Sequence, residues 1–252
     1  MFEFAKKDLS TWPILCDAFS LYLQTFSRTW RVFLCYFIIS VYYVSGYVGG
    51  IFPLNNFEKV RQEPLLMTFY FIGIIIVAFV ALYFKGVALH RMHEIVTRFD
   101  AKLSDSFAFV RHKYWRIWGN QFLVGTMVLA ILFPLIVPGV FLGILLVLCI
   151  PLILFDDKSV TEAIKDSCGL VWGNWWHTLA AIVLPMMAGI GINVYLPHLF
   201  QKGLPGVVSG AVLMVVNSFF VMPVLWAIIL VLFEDLRSKD ESSDRCKGTA
   251  NI

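Results

Sequence analysis

From Ile117 to Phe155 the chain carries no aspartate, glutamate, lysine or arginine. A helix at a water surface pairs an apolar stripe with a charged one, and this run leaves no room for the second. A bilayer accepts it, because a crossing helix needs about 20 mostly apolar residues, at about 1.5 Å each, to span a hydrocarbon core of about 30 Å. The run is too long for one crossing. Its IVPGVFLG at 136–143 holds Pro138, Gly139 and Gly143, suited to a tight turn, and divides it near Pro138. Residues 32–52, 65–84, 177–200 and 207–233 qualify as further crossings, so six are expected.

Composition agrees with lipid as the main solvent. Of 252 residues, 59% are hydrophobic and 15% charged, with a mean hydropathy of +0.78; a soluble domain is about 25% charged. In water that surplus would form large exposed patches that drive association. A net charge of +3, dispersed along the chain, gives no nucleic-acid interface. The N-terminal MFEFAKKDLSTWPILCD lacks the basic, apolar and small-residue order of a signal peptide, so the first apolar run is expected to stay. Cys16, Cys35, Cys149, Cys168 and Cys246 show no metal-ligand or disulfide spacing and are expected as free thiols.

Basic residues orient the crossings, since lysine and arginine near spans gather on the cytoplasmic side. Seventeen of the 20 fall before the first crossing, after the second, after the fourth and after the sixth. Three fall in the intervening segments. Both termini are therefore expected in the cytoplasm.

Each cytoplasmic approach to the membrane carries an amphipathic stretch. Trp12, Leu15, Phe19, Tyr22 and Phe26 recur at helical spacing, as do Leu103, Phe107, Val110 and Tyr114, and then Val160, Ile164, Cys168 and Val171. The third opens with a capping box at Ser159 and Glu162. Each leads into aromatic residues, with WGN at both 118–120 and 172–174, and Trp30, Trp115, Trp118, Trp172, Trp175 and Trp176 are expected as interfacial anchors. Each hairpin leaves the membrane through LYFKG, LFDDK or LFEDL. The expected fold is an all-α membrane protein with six transmembrane helices in three hairpins, each preceded by a cytoplasmic interfacial amphipathic helix. Residues 1–235 form one membrane domain with parallel repeats at about 8–86, 99–157 and 158–235, and 236–252 form a polar tail expected to be disordered.

The stretch 136–179 resembles the YciC-like and glycerophosphoryl diester phosphodiesterase membrane-domain families of bacteria. Pro138, Gly139, Pro151, Asp156, Asp157, Glu162, Ala163, Ser167, Leu170, Gly173 and Trp175 carry the likeness. It implies a polytopic protein of the bacterial inner membrane and supplies no catalytic residue. Some members carry a soluble phosphodiesterase domain after the membrane part; the polar tail RSKDESSDRCKGTANI stands there instead, so that activity is not expected.

Three constellations bear on chemistry. HRMHE at 90–94, with His112, Asp156 and Asp157 on the same side, has metal-ligand residue types; a basic helix end facing anionic lipid explains it more simply. Asn193 and Asn217 form a possible intramembrane polar site, or hold helices together by hydrogen bonds. Pro134, Pro138, Pro151, Pro185 and Pro223 kink spans or break them around a cavity. No cofactor or metal is expected. The reading is a non-enzymatic inner-membrane protein that organises the membrane or maintains the envelope. Its expected partners are anionic lipid, a membrane protein or a second copy of itself. The alternative is a transporter or channel for a small or lipid-like solute.

Overall fold

The computed structural model describes residues 11–48, 64–98, 102–132, 135–200 and 212–249, and among them helix predominates and no strand occurs. In order come α1 (Thr11–Val48), α2 (Pro64–Arg98), α3 (Leu103–Leu132), α4 (Ile136–Leu145), α5 (Cys149–Phe155), α6 (Val160–Trp172) and α7 (Trp175–Phe200). A π-helical turn, Asn217–Val221, leads into α8 (Met222–Thr249).

Among the described residues, four segments are long and apolar enough to cross a membrane: Ile72–Thr97, Ile136–Phe155, Trp175–Tyr195 and Val212–Glu241. These correspond to the second, fourth, fifth and sixth expected crossings. The first, 32–52, lies partly outside the described residues; the third begins inside α3, where Asn120 and Gln121 dilute its apolar character. Burial ranks the segments. Within the most apolar stretch of each, 56% is buried in Ile136–Phe155 and 44% in Val212–Glu241, against 22% in Ile72–Thr97 and 17% in Trp175–Tyr195. The first two are thus central and the other two peripheral.

The first two amphipathic stretches are not separate helices. α1 and α3 run without a break from the amphipathic stretch into the apolar one, so the two parts are continuous. At about 1.5 Å per residue the 38 residues of α1 reach about 57 Å, well beyond a hydrocarbon core. The face of α1 that packs coincides only in part with the amphipathic stripe. Ile14, Ala18, Leu21, Tyr22, Val32 and Phe33 are buried, whereas Trp12 and Phe19 stand exposed. Only α6 is a distinct amphipathic helix; its capping box is present, with Ser159 and Glu162 each bonding the other's backbone N–H.

The two WGN triplets also differ in structure. Residues 118–120 lie inside uninterrupted α3, while Trp172 ends α6 and 173–174 make the turn to α7. The segment read as a disordered tail is helical through Thr249. Helix-spaced ion pairs support it: Lys239 to Asp235 at 3.0 Å and Arg237 to Glu241 at 3.5 Å, with Leu236 buried against the bundle.

The prolines have individual consequences. Pro138 sits in the first turn of α4, where no intrahelical donor is needed. Gly139 beside it lets α4 close on α3, since a Cβ there would lie 2.6 Å from Leu132 Cα. Pro151 cannot donate to Val147, and its ring crowds that carbonyl. The helix breaks one turn earlier, at Leu146–Leu148, separating α4 from α5. There the Cys149 N–H turns to the Leu146 carbonyl at 3.3 Å and leaves that of Leu145 open. The buried Ser167 hydroxyl of α6 donates to it at 2.6 Å. Pro223 acts similarly: the π turn precedes it, with the Met222 N–H reaching the Asn217 carbonyl, and the Tyr22 hydroxyl of α1 donates to the Phe219 carbonyl that Pro223 cannot serve. Pro185 lies in α7 without interrupting it, and Pro134 falls outside the described residues.

Ser167→Ala is expected to lower stability by about 1–3 kcal/mol, the cost of an unmet buried carbonyl. Denaturant titration in detergent micelles checks this. Gly139→Ala is expected to cost more than Gly143→Ala in the same assay, because the Cβ meets Leu132 backbone at 139 and nothing within 4 Å at 143.

Candidate functional site

Two polar regions and one aromatic cleft stand out, and the elements above place each. At the end of α5 the chain turns through Asp157, whose φ of 53° is the left-handed conformation that aspartate tolerates better than most residues. The turn presents its carboxylate to α3. Lys113 lies 3.2 Å from Asp157 and Arg116 2.8 Å from it. Lys113 also donates to the Leu154 carbonyl at 2.9 Å and the Ile153 carbonyl at 3.5 Å, so one ammonium caps the helix end and pairs the acid beyond it. The Lys113 hydrogen bond and charge, then Arg116, hold the Asp157 carboxyl below its usual range.

Asp156 faces the other way, to Arg237 of α8 at 3.0 Å. Burial raises its carboxyl above the usual value, against the pull of Arg237 and Lys158. Around it, Lys158 pairs with Asp166 at 3.1 Å, and Lys165, Asp240 and Glu241 complete a cleft of about 550 Å³. LFDDK thus fastens the core segment to α3 through one acid and to α8 through the other.

HRMHE does not form the surface facing anionic lipid that its sequence suggests. His90 and Arg91 are only 6% and 8% exposed, turned into the bundle because α2 continues between α3 and α8. His90 stacks on Phe109, with ring centroids 4.1 Å apart, and its Nδ1 lies 3.2 Å from the Ser106 hydroxyl. His93 pairs instead with Glu234 at 3.4 Å and lies tilted against Phe155, with ring centroids 4.3 Å apart. The two histidines therefore serve different helix contacts. Among the described residues no three His, Cys, Asp or Glu side chains gather as a metal site would require. His112 is exposed, and the described cysteines are free thiols.

Asn193 and Asn217 do meet. Their amides exchange two hydrogen bonds, 3.1 and 2.7 Å, and Asn193 also donates to the Gly189 carbonyl at 2.8 Å. Gly189 permits the approach, since a Cβ there would lie 2.9 Å from Val221. The pair joins α7 to the π turn and uses most of its own hydrogen-bonding capacity.

The tryptophans divide into packed and open. Trp118 stacks between Phe79 and Phe122, at 5.1 and 5.6 Å. Trp115, Trp172 and Trp176 are 72%, 66% and 76% exposed, and Trp30 is also exposed. Trp172, Trp175 and Trp176, with Phe141, Gly173, Asn174 and His177, line a cleft of about 600 Å³ at the start of α7. Spacing along the chain singles out these indoles; the contribution of Phe141 from α4 was not legible, since it depends on the break that folds α4 beside α6.

Comparison with family models, with curated proteins and with solved structures finds no match.

The Asp157 clamp has a defined pH dependence. A carboxyl held below its unfolded value contributes stability that is complete above the ordinary carboxylate range, near 3.8, and is lost as pH falls through the folded value. The Tm in detergent is expected to drop on acidification through this range, and Asp157→Asn to flatten part of the drop by removing the group.

Proposed function

We propose that the chain is a non-enzymatic, six-crossing protein of the bacterial inner membrane, with three hairpins and both termini in the cytoplasm. Its work is to hold lipid, or a membrane partner, at the cytoplasmic interface and so organise the membrane around it. The observation that carries this reading is how side-chain chemistry is distributed. Asp156, Asp157, Lys113, His93, Glu234, Arg237 and the asparagine pair are engaged in joining helices. Exposed indoles at Trp115, Trp172 and Trp176 remain open, and indoles are suited to the headgroup layer. The resemblance of 136–179 to bacterial membrane-domain families supports the location.

A transport reading draws on the π turn at Asn217, since such turns mark functional positions in helices. The mutual pairing of Asn193 and Asn217 favours a helix lock over a solute site.

Purification into nanodiscs of native lipid, followed by detergent exchange and mass spectrometry, tests the proposal. Phospholipid is expected to remain with the chain in a fixed ratio and to be reduced severalfold by combined Trp115→Ala, Trp172→Ala and Trp176→Ala changes. Turnover of a lipid by the purified chain, or solute flux through it in liposomes, would overturn the reading, as would loss of all lipid from the unaltered protein.

A further inference from the structure

The cleft at the start of α7 combines two recognition elements that the fold does not otherwise use. Its walls are aromatic faces in different orientations. Phe141 and Trp172 stand 5.9 Å apart at 87°, Trp175 and Trp176 4.7 Å apart at 78°, and Phe141 lies 5.0 Å from Trp175 at 34°. Rings turned at right angles let one ammonium meet more than one π face, as aromatic cages for alkylammonium groups do.

The second element is the first turn of α7. Asn174 occupies the N-cap position, its carbonyl accepting from the Thr178 N–H at 3.0 Å. The N–H groups of Trp175, Trp176 and His177, the first three of the helix, have no acceptor within it. Such a terminus takes phosphate. Two side-chain atoms of residues that line it, Trp175 Nε1 and His177 Nε2, are enclosed and have no hydrogen-bond partner among the described residues, while His177 Nδ1 lies 3.2 Å from the Thr11 hydroxyl.

The lining contains no Lys, Arg, Asp or Glu. A ligand with net negative charge would find no counter-ion there, whereas one carrying an ammonium and a phosphodiester has a partner for each. Trp172 and Trp176 lie exposed at the mouth, and from Trp175 onward α7 is apolar enough to cross a bilayer, so the cleft opens where a lipid headgroup would stand.

We propose that this cleft binds the zwitterionic headgroup of a phospholipid, phosphoethanolamine or phosphocholine in type, with its ammonium among Phe141, Trp172 and Trp176 and its phosphodiester at the α7 N-terminus. The assignment rests on the reading that the chain holds lipid at this interface, and it replaces the expected preference for anionic lipid at this position with a zwitterionic one.

Gly173 supplies a clean variant. Its φ of −73° suits any residue, and a Cβ there meets nothing within 4 Å, so Gly173→Leu occupies the cleft without disturbing the packing. The full chain is placed in nanodiscs of equal phosphatidylethanolamine and phosphatidylglycerol, and the lipid retained after detergent exchange is identified by mass spectrometry. Phosphatidylethanolamine is expected to be enriched about fivefold over phosphatidylglycerol, in line with a modest cation–π preference. Enrichment should fall to parity in Gly173→Leu and in Trp176→Ala, with Tm unchanged in at least one of them. Equal retention of the two lipids by the unaltered chain, or enrichment that survives both variants, overturns the site while leaving the lipid-holding reading intact. Preferential retention of phosphatidylglycerol overturns the headgroup class. Displacement of the lipid by equimolar free phosphoethanolamine overturns the choice of a lipid over a soluble ligand, and absence of any retained lipid removes both proposals together.

Discussion

Backbone carbonyls left without a helical donor, where a proline sits or a helix breaks or ends, govern how the central helices of this protein can be built. In an apolar interior an unmet carbonyl is costly, and water is not at hand to repair it. The remedy at each fault is a side chain from another helix. Tyr22 of α1 meets the Phe219 carbonyl before Pro223, Ser167 of α6 meets the Leu145 carbonyl before Pro151, and Lys113 of α3 meets the carbonyls at the end of α5. Each repair ties a neighbour to a central segment. The breaks therefore strengthen the cohesion of the bundle, because the groups they release are the ones the neighbours hold.

Around these ties the molecule is unevenly packed. Leu21, Tyr22, Leu89, Met92, Ile117, Leu148, Ile153 and Phe233 are fully enclosed, in the parts of their helices nearest the ionic network. Ile75, Ile76, Leu129, Met187 and Val194, farther along, remain open. An apolar surface at one end and a dense, charge-laced core at the other is the arrangement expected where lipid covers the first and cytoplasm borders the second. Enclosure of side chains is densest beside the ionic network. The aromatic cleft of α7 lies at the boundary between α6 and the apolar length of α7.

Much of this was legible in the residues, and the failures are instructive. The apolar runs expected at 177–200 and 207–233 overlap segments long and apolar enough to cross a membrane, and these and the Ser159–Glu162 capping box follow from local preference alone; the tight turn expected within 136–143 does not form there, because Pro138 stands in the first turn of a helix. The packed face of α1 was not: Trp12 and Phe19 share a helical stripe with Tyr22 yet stand exposed, whereas Ala18, Thr25 and Thr29 are buried. Small residues pack closely, and hydrophobicity by itself does not say which face will meet a neighbour. His90 and Arg91 were read as surface for the converse reason, since charge usually stays in water and only the continuation of α2 between α3 and α8 encloses them. The helical state of the tail depended on Leu236 and Arg237 docking, which its polar composition concealed.

By itself the amino-acid order determined the solvent, the helical character and the positions of the faults, because apolar length, periodicity and the missing N–H of proline are properties of short segments. Only tertiary structure decided which hydroxyl or ammonium would meet each freed carbonyl, that Asn193 and Asn217 would pair with one another, and that Phe141 would join three tryptophans around one cleft. Those outcomes require residues far apart in the chain to arrive together, and their meeting is set by packing of whole helices, for which no local pattern carries the instruction.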